Sequence, residues 1–201
     1  MSSPNTLNGG KSQFSLEDLM TALADTSDDR RPVERWKPDH CGEIDIVIKA
    51  DGSWWHEGGK INRKGMVELF ASVLRKDEDG VTYLVTPVEK LSITVERGHF
   101  VAIRLDAKGE GQDQRLFFTT NLGDVVEAGP ENRLRIETDA ETGEPDPYVN
   151  VWGRLEASLS RPVFYELVDL AVERQTPDGA QLGVWGGGEF FPLGPAGSHN
   201  V

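Results

Sequence analysis

Apolar and polar residues alternate in IDIVIKA (44–50), the period-two pattern of a half-buried strand. The Asp51-Gly52 turn signal follows and returns the chain as a hairpin through SWWHE (53–57). After Gly58-Gly59 the period changes. In INRKGMVELFASVL (61–74), Met66, Leu69, Phe70, Val73 and Leu74 fall at i, i+3, i+4, i+7 and i+8, the stripe of a helix predicted to reach about Lys76. VTYLVT (81–86) resumes the strand pattern. It is followed by LSITVE (91–96), FVAIRLDA (100–107), QRLFFTT (114–120), DVVEA (124–128), RLRIETD (133–139) and YVNVWGRLEA (148–157). Gly98, Gly109, Gly111, Gly123 and Gly129-Pro130 punctuate them, which predicts an antiparallel, curled sheet or partial barrel. A second helical stripe, Phe164, Leu167, Val168, Ala171 and Val172, lies in LSRPVFYELVDLAV (159–172). LGVW (182–185) and EFFPL (189–193) flank Gly186-Gly187-Gly188.

The two helical stretches match at Arg63/Arg161, Glu68/Glu166 and Leu69/Leu167, and each sits in the order strand, loop, strand, arginine, helix, turn, strand. The reading is an α+β fold of two structurally related halves, strand-rich with one main helix per half. Residues 1–31 read as a tail carrying an amphipathic helical segment, SLEDLMTALAD (15–25). Residues 32–90 form the N-terminal half, 91–194 the C-terminal half, and 195–201 a second tail. On this alignment Leu69 and Leu167 are equivalent buried positions.

Charge narrows the partners. The net charge of −13 repels phosphate backbones and anionic membranes, so neither general nucleic-acid binding nor membrane association is expected. No apolar run is long enough to span a bilayer. The single cysteine, Cys41, excludes an intramolecular disulfide framework and fits a reducing cytoplasm. No nucleophile elbow, phosphate-binding glycine loop, dinucleotide fingerprint or zinc spacing occurs, so no catalytic residue, metal or cofactor is assigned. His56 and His99 read as ordinary hydrogen-bonded histidines.

Against this acidic background two cations stand out. Asn62 and Ser160 suit N-caps, and Pro162 suits a position just inside a helix. That places Arg63 and Arg161 in first turns, where the helix field disfavours a cation. Each is therefore either paired with a protein carboxylate or part of a small-anion site. Glu89 and Lys90, between two strands, read as a polar clamp or an edge turn. Asn121, with Asp124, reads as a ligand donor or a turn residue. Trp185 reads as a stacking platform or a core residue.

CGEIDIVIKADGSWWHEGGKINRKGMVELFASVLR, YLVTPVEKLSI, TNLGDVVEAG, DPYVNV and GVWGGGEFFPLG, covering most of residues 41–194, resemble the uncharacterised bacterial family known as domain of unknown function 1285. The resemblance implies two related halves, the second superficially like a pleckstrin-homology domain, a ligand site between them suited to a nucleotide-like molecule, and a role in signalling. Residue pattern and resemblance together lead to a non-enzymatic binding or sensor protein. In it Arg63 and Arg161 would neutralise a small anionic ligand, Glu89, Lys90 and Asn121 would supply polar contacts, and Trp185 would stack. Two rivals are a scaffold that binds a protein partner through its curved sheet and acidic face, and an enzyme whose site assembles only in three dimensions.

Overall fold

The computed structural model describes residue 21 and residues 31–138, 142–177 and 179–197. Most of the segment 15–25 thus lies outside the described residues. After a single 3-10 turn at Val33–Arg35, the first half contains β1 (His40–Ile48), β2 (Trp54–His56), β3 (Gly59–Lys60), α1 (Lys64–Ala71), β4 (Leu74–Lys76), β5 (Thr82–Val85) and β6 (Glu89–Val95). The strands form one sheet in the order β3-β2-β1-β6-β5-β4. All neighbours are antiparallel except the central pair, β1 and β6. Because β6 lies at the centre of this sheet, the first half extends past residue 90, and the chain crosses to the second half around Gly98.

The second half contains β7 (Phe100–Lys108), β8 (Arg115–Thr120), β9 (Val125–Glu127), β10 (Leu134–Thr138), β11 (Pro145–Trp152), β12 (Leu155–Leu159) and α2 (Arg161–Asp169). Its sheet order is β10-β11-β12-β7-β8-β9, again with a single parallel pair, β12 and β7. A third sheet of β13 (Val172–Thr176), β14 (Gly179–Gly186) and β15 (Glu189–Pro195) follows. Gly187 and Gly188 turn its hairpin with φ of 55° and 82°, the left-handed region glycine enters at least cost.

Read from the opposite edge, the second sheet runs β9-β8-β7-β12-β11-β10, which is the first sheet's order with each strand number raised by six. The parallel pair falls at the same place. The halves are therefore related through their sheets. The helices are not equivalent: α1 joins the third and fourth strands of its half, whereas α2 follows the sixth. The alignment of Arg63 with Arg161 matched two helices that occupy different places in the repeat.

Both helices are shorter than their stripes. In the first, Val73 and Leu74 satisfy the helical spacing but are buried at the entry to β4, and Leu74 pairs with Leu84. Ser72 ends the helix by donating its hydroxyl to the Leu69 carbonyl (2.6 Å). Val172 likewise leaves the second stripe and starts β13. Leu167 is fully buried, but its sequence partner Leu69 is half-buried, and Phe70 fills the core instead. YVNVWGRLEA is two strands, because Gly153 (φ 53°) reverses the chain between β11 and β12.

One contiguous core runs through both halves, from Val33, Ile46 and Trp54 to Phe100, Leu159 and Phe191. Polar ties reinforce the junction. The Val101 N–H donates to Asn121 Oδ1 (2.9 Å), and Asn121 Nδ2 reaches back to the Gly52 carbonyl of the first half (3.4 Å).

Candidate functional site

A cavity of about 750 Å³ opens between the halves and is built from four short segments. Arg31–Glu34 form one wall where the chain enters the fold. The end of α1 supplies Glu68, Ala71 and Ser72. The β8–β9 turn supplies Leu122 and Asp124, and the β11–β12 turn supplies Trp152, Gly153 and Arg154.

Each segment is held in place locally. Thr120 Oγ1 accepts the N–H groups of Leu122 (3.3 Å) and Asp124 (3.1 Å), which fixes the first turn around Gly123. Asn150 Nδ2 donates to the Gly153 carbonyl (2.9 Å) and so closes the second. A Cβ at Gly153 would approach Glu34 Oε1 at 3.1 Å, so the turn and the entering wall are already in contact. Behind the turn, Trp152 packs its ring on Phe100 (centroids 4.9 Å apart), leaving the indole half-exposed to the cleft. Val33, Ala71, Leu122 and Trp152 give the cleft an apolar floor.

The charges are mixed. Arg31 is buried, and burial lowers its pKa, although a guanidinium stays protonated at any ordinary pH. Arg154 pairs with Glu78 (2.8 Å) on the exposed rim, a contact that contributes little to stability. Glu34, Glu68 and Asp124 bring three carboxylates to the same walls. Neither histidine nor cysteine lines the cleft among the described residues, and the carboxylates are its acceptor groups.

The six residues singled out by sequence do not converge here. Arg63 is not inside the first turn; it is the N-cap of α1, exposed, and lines neither this cleft nor the cavities at Arg161 and Lys90. Arg161 does open α2 after Ser160, but it is exposed and lies 3.5 Å from Glu144 at the edge of a second cavity of about 420 Å³. Arg97 and Tyr148 line that cavity as well, and Arg97 is bound there by Asp146.

Lys90 lines a third cavity, about 340 Å³, with Cys41, Trp36 and Arg75. Its ammonium donates to Asp77 (2.9 Å) and sits 4.0 Å from the centre of the Tyr83 ring. The Asp77 bond raises the Lys90 pKa. Partial burial opposes the Asp77 charge, but the bonds from Arg75 and Lys90 outweigh it and lower that pKa. Glu89 is buried at the start of β6, where its N–H donates to Thr86 Oγ1 (3.1 Å). Asn121 is spent on the junction between the halves. Trp185 packs edge-on against Phe190 (5.5 Å), with the Arg174 guanidinium 4.9 Å from its ring.

Sequence reasoning missed Trp152 and Arg31. Trp152 was hidden inside a segment read as one strand, and Arg31 was assigned to the tail. The Pro32 that follows Arg31 was the available signal, since it marked the entry to the folded part.

Profiles of the two domains of one family match this chain. The N-terminal domain of unknown function DUF1285 matches residues 31–97, and the C-terminal domain of DUF1285 matches residues 99–193. The chain belongs to the DUF1285 family. A solved DUF1285 family protein from Silicibacter pomeroyi DSS-3 is 44% identical, with a TM-score of 0.81, covering 89% of this chain and 95% of that one. A second, from Shewanella baltica OS155, is 22% identical with a TM-score of 0.48, covering 62% of this chain and 90% of that one. No curated protein matches. The DUF1285 domain limits fall on the junction in this fold: Arg97 closes the first half, and His99 opens the second. Arg31, the first residue of the matched DUF1285 region, is also the first residue lining the cleft. Among the described residues, no group of histidine, cysteine and acidic side chains could hold a metal, and no helix is long and apolar enough to cross a membrane.

Proposed function

We propose that this chain is a small-molecule-binding protein, a sensor rather than a catalyst, whose ligand occupies the cleft between the halves. The observation that carries the reading is the cleft itself: about 750 Å³, an apolar floor with a half-exposed indole, and a buried guanidinium in one wall. Ligand pockets are commonly concave, mostly apolar and equipped with a few placed polar groups. Trp152 and Leu122 suit a flat ring. Arg31 and Arg154 suit one anionic group. Glu34, Glu68 and Asp124 accept hydrogen bonds from ring N–H or hydroxyl donors, and their charges oppose a polyphosphate. The favoured class is therefore a nucleoside monophosphate or a similar ring-bearing monoanion or dianion.

A thermal-shift screen of the full chain against nucleoside mono-, di- and triphosphates tests this. A ligand specific to the folded state raises the melting temperature by mass action. Monophosphates should give a saturable rise and triphosphates a smaller one. No rise with any of them removes the nucleotide reading.

A further inference from the structure

The three acids of the cleft are held differently. Glu68 is exposed and pairs with Lys64 (3.2 Å), one helical turn back on α1. Glu34 is exposed on the entering wall. Asp124 is half-buried, and the buried Thr120 fixes its backbone on both sides. The Asp124 N–H donates to Thr120 Oγ1 (3.1 Å), and its carbonyl accepts the Thr120 N–H (2.8 Å). Among the described residues, no side chain bonds or ion-pairs with the Asp124 carboxylate.

A carboxylate accepts through two oxygens and donates nothing. A ligand that covers a half-buried carboxylate must bring donors to it, because stripping its water without replacement is costly. The turn that carries Asp124 also carries Leu122 of the apolar floor, so a ring resting on Leu122 turns an edge toward Asp124. Among the common bases, guanine presents two adjacent donors on one edge, its ring N1–H and its 2-amino group. They match the two oxygens in a bidentate, charge-assisted pair. Adenine and cytosine set a ring-nitrogen acceptor beside their single amino group, and the uracil N3–H stands between two carbonyl oxygens. Each of these would turn a lone pair toward the carboxylate.

We infer, on the basis of the small-ligand function proposed above, that the Asp124 carboxylate reads the ring edge and selects a guanine nucleoside monophosphate. Arg31 and Arg154 are then left for the phosphate. A good bidentate pair discriminates between bases by about tenfold to a hundredfold.

Calorimetric titration of the full chain with guanosine, inosine, adenosine and xanthosine monophosphates tests this. The wild type should bind the guanosine compound at least ten times more tightly than the adenosine compound. The inosine compound, which keeps N1–H and lacks the amino group, should fall between them. Asp124→Asn should collapse the guanosine preference to about twofold. It should also gain affinity for the xanthosine compound relative to the other three, because an amide offers one donor and one acceptor to the N1–H and carbonyl of xanthine. Ratios within one protein cancel the general effect of removing a charge. Equal binding of the guanosine and adenosine compounds by the wild type would overturn the base selection and leave the monophosphate function standing. A guanosine preference that survives Asp124→Asn would overturn Asp124 as the reader. Binding of none of the four would overturn the base selection and the small-ligand function together.

Discussion

His99 and Thr82 meet across the junction of the two halves, with the imidazole Nε2 3.0 Å from the threonine hydroxyl. The Glu156 N–H donates to His99 Nδ1 (3.1 Å), so the ring's proton resides on Nε2 and points to Thr82 Oγ1. Both ring nitrogens are satisfied only when the imidazole is neutral. Burial, with Lys76 nearby, pushes the His99 pKa down to about 4. The unfolded chain holds the proton more tightly, so stability rises with pH between about 4 and 6.5 and is lost on acidification through that window. From pH 7.5 to pH 5 the loss attributable to this group is about 2 kcal/mol. Urea melts at the two pH values should show it, and His99→Gln should reduce the difference. An identical pH dependence in that variant would assign the effect to other groups.

Leu167 and Leu69 should part company on truncation. Leu167→Ala removes a fully buried side chain and should cost about 2–5 kcal/mol in denaturant melts. Leu69 is half-buried, so Leu69→Ala should cost clearly less, with Phe70→Ala the severe change on α1. Equal costs at the two leucines would restore the helix-to-helix alignment that the strand order argues against.

Asn121 is predicted to be structural. Asn121→Ala leaves the Val101 N–H and the Gly52 carbonyl without their partner and should cost about 1–3 kcal/mol. Gly52→Ala should also destabilise, because φ is 79° and its Cβ would lie 2.8 Å from Asn121 Nδ2. If Asn121→Ala melted like the wild type but lost ligand response, Asn121 would be a ligand donor after all.

The arginines at the two helix starts should be quiet. Both are exposed, and the Arg161–Glu144 contact is long and solvated. Arg63→Ala and Arg161→Ala should leave both the melting temperature and any ligand response unchanged. Loss of response in either variant would move the site from the cleft to that helix.

Features legible in the sequence were those whose cause is local. The Asp51-Gly52 turn could be read because a backbone at positive φ selects glycine at that position whatever surrounds it. Val73 and Leu74 misled because burial on a helix stripe and burial in a strand ask for the same residue types; pairing with β5, ten residues on, decides between them. The relation between the halves was visible as an idea and misplaced in detail. It resides in strand order, which no single segment encodes. Arg31 and Trp152 are more than a hundred residues apart and become one site only through the turn at Gly153 and the packing of Glu34 against it. No spacing rule links them.

The most direct test of the cleft as a ligand site is titration of a nucleoside monophosphate, followed by tryptophan fluorescence, into three full-length chains: wild type, Arg161→Ala and Leu122→Arg. The last drives a long cationic side chain across the cleft from the β8–β9 turn. The wild type and Arg161→Ala should saturate with the same midpoint, while Leu122→Arg, still folded by its cooperative melt, should show no saturable change. A folded Leu122→Arg chain that binds like the wild type would contradict the placement of the ligand between the halves.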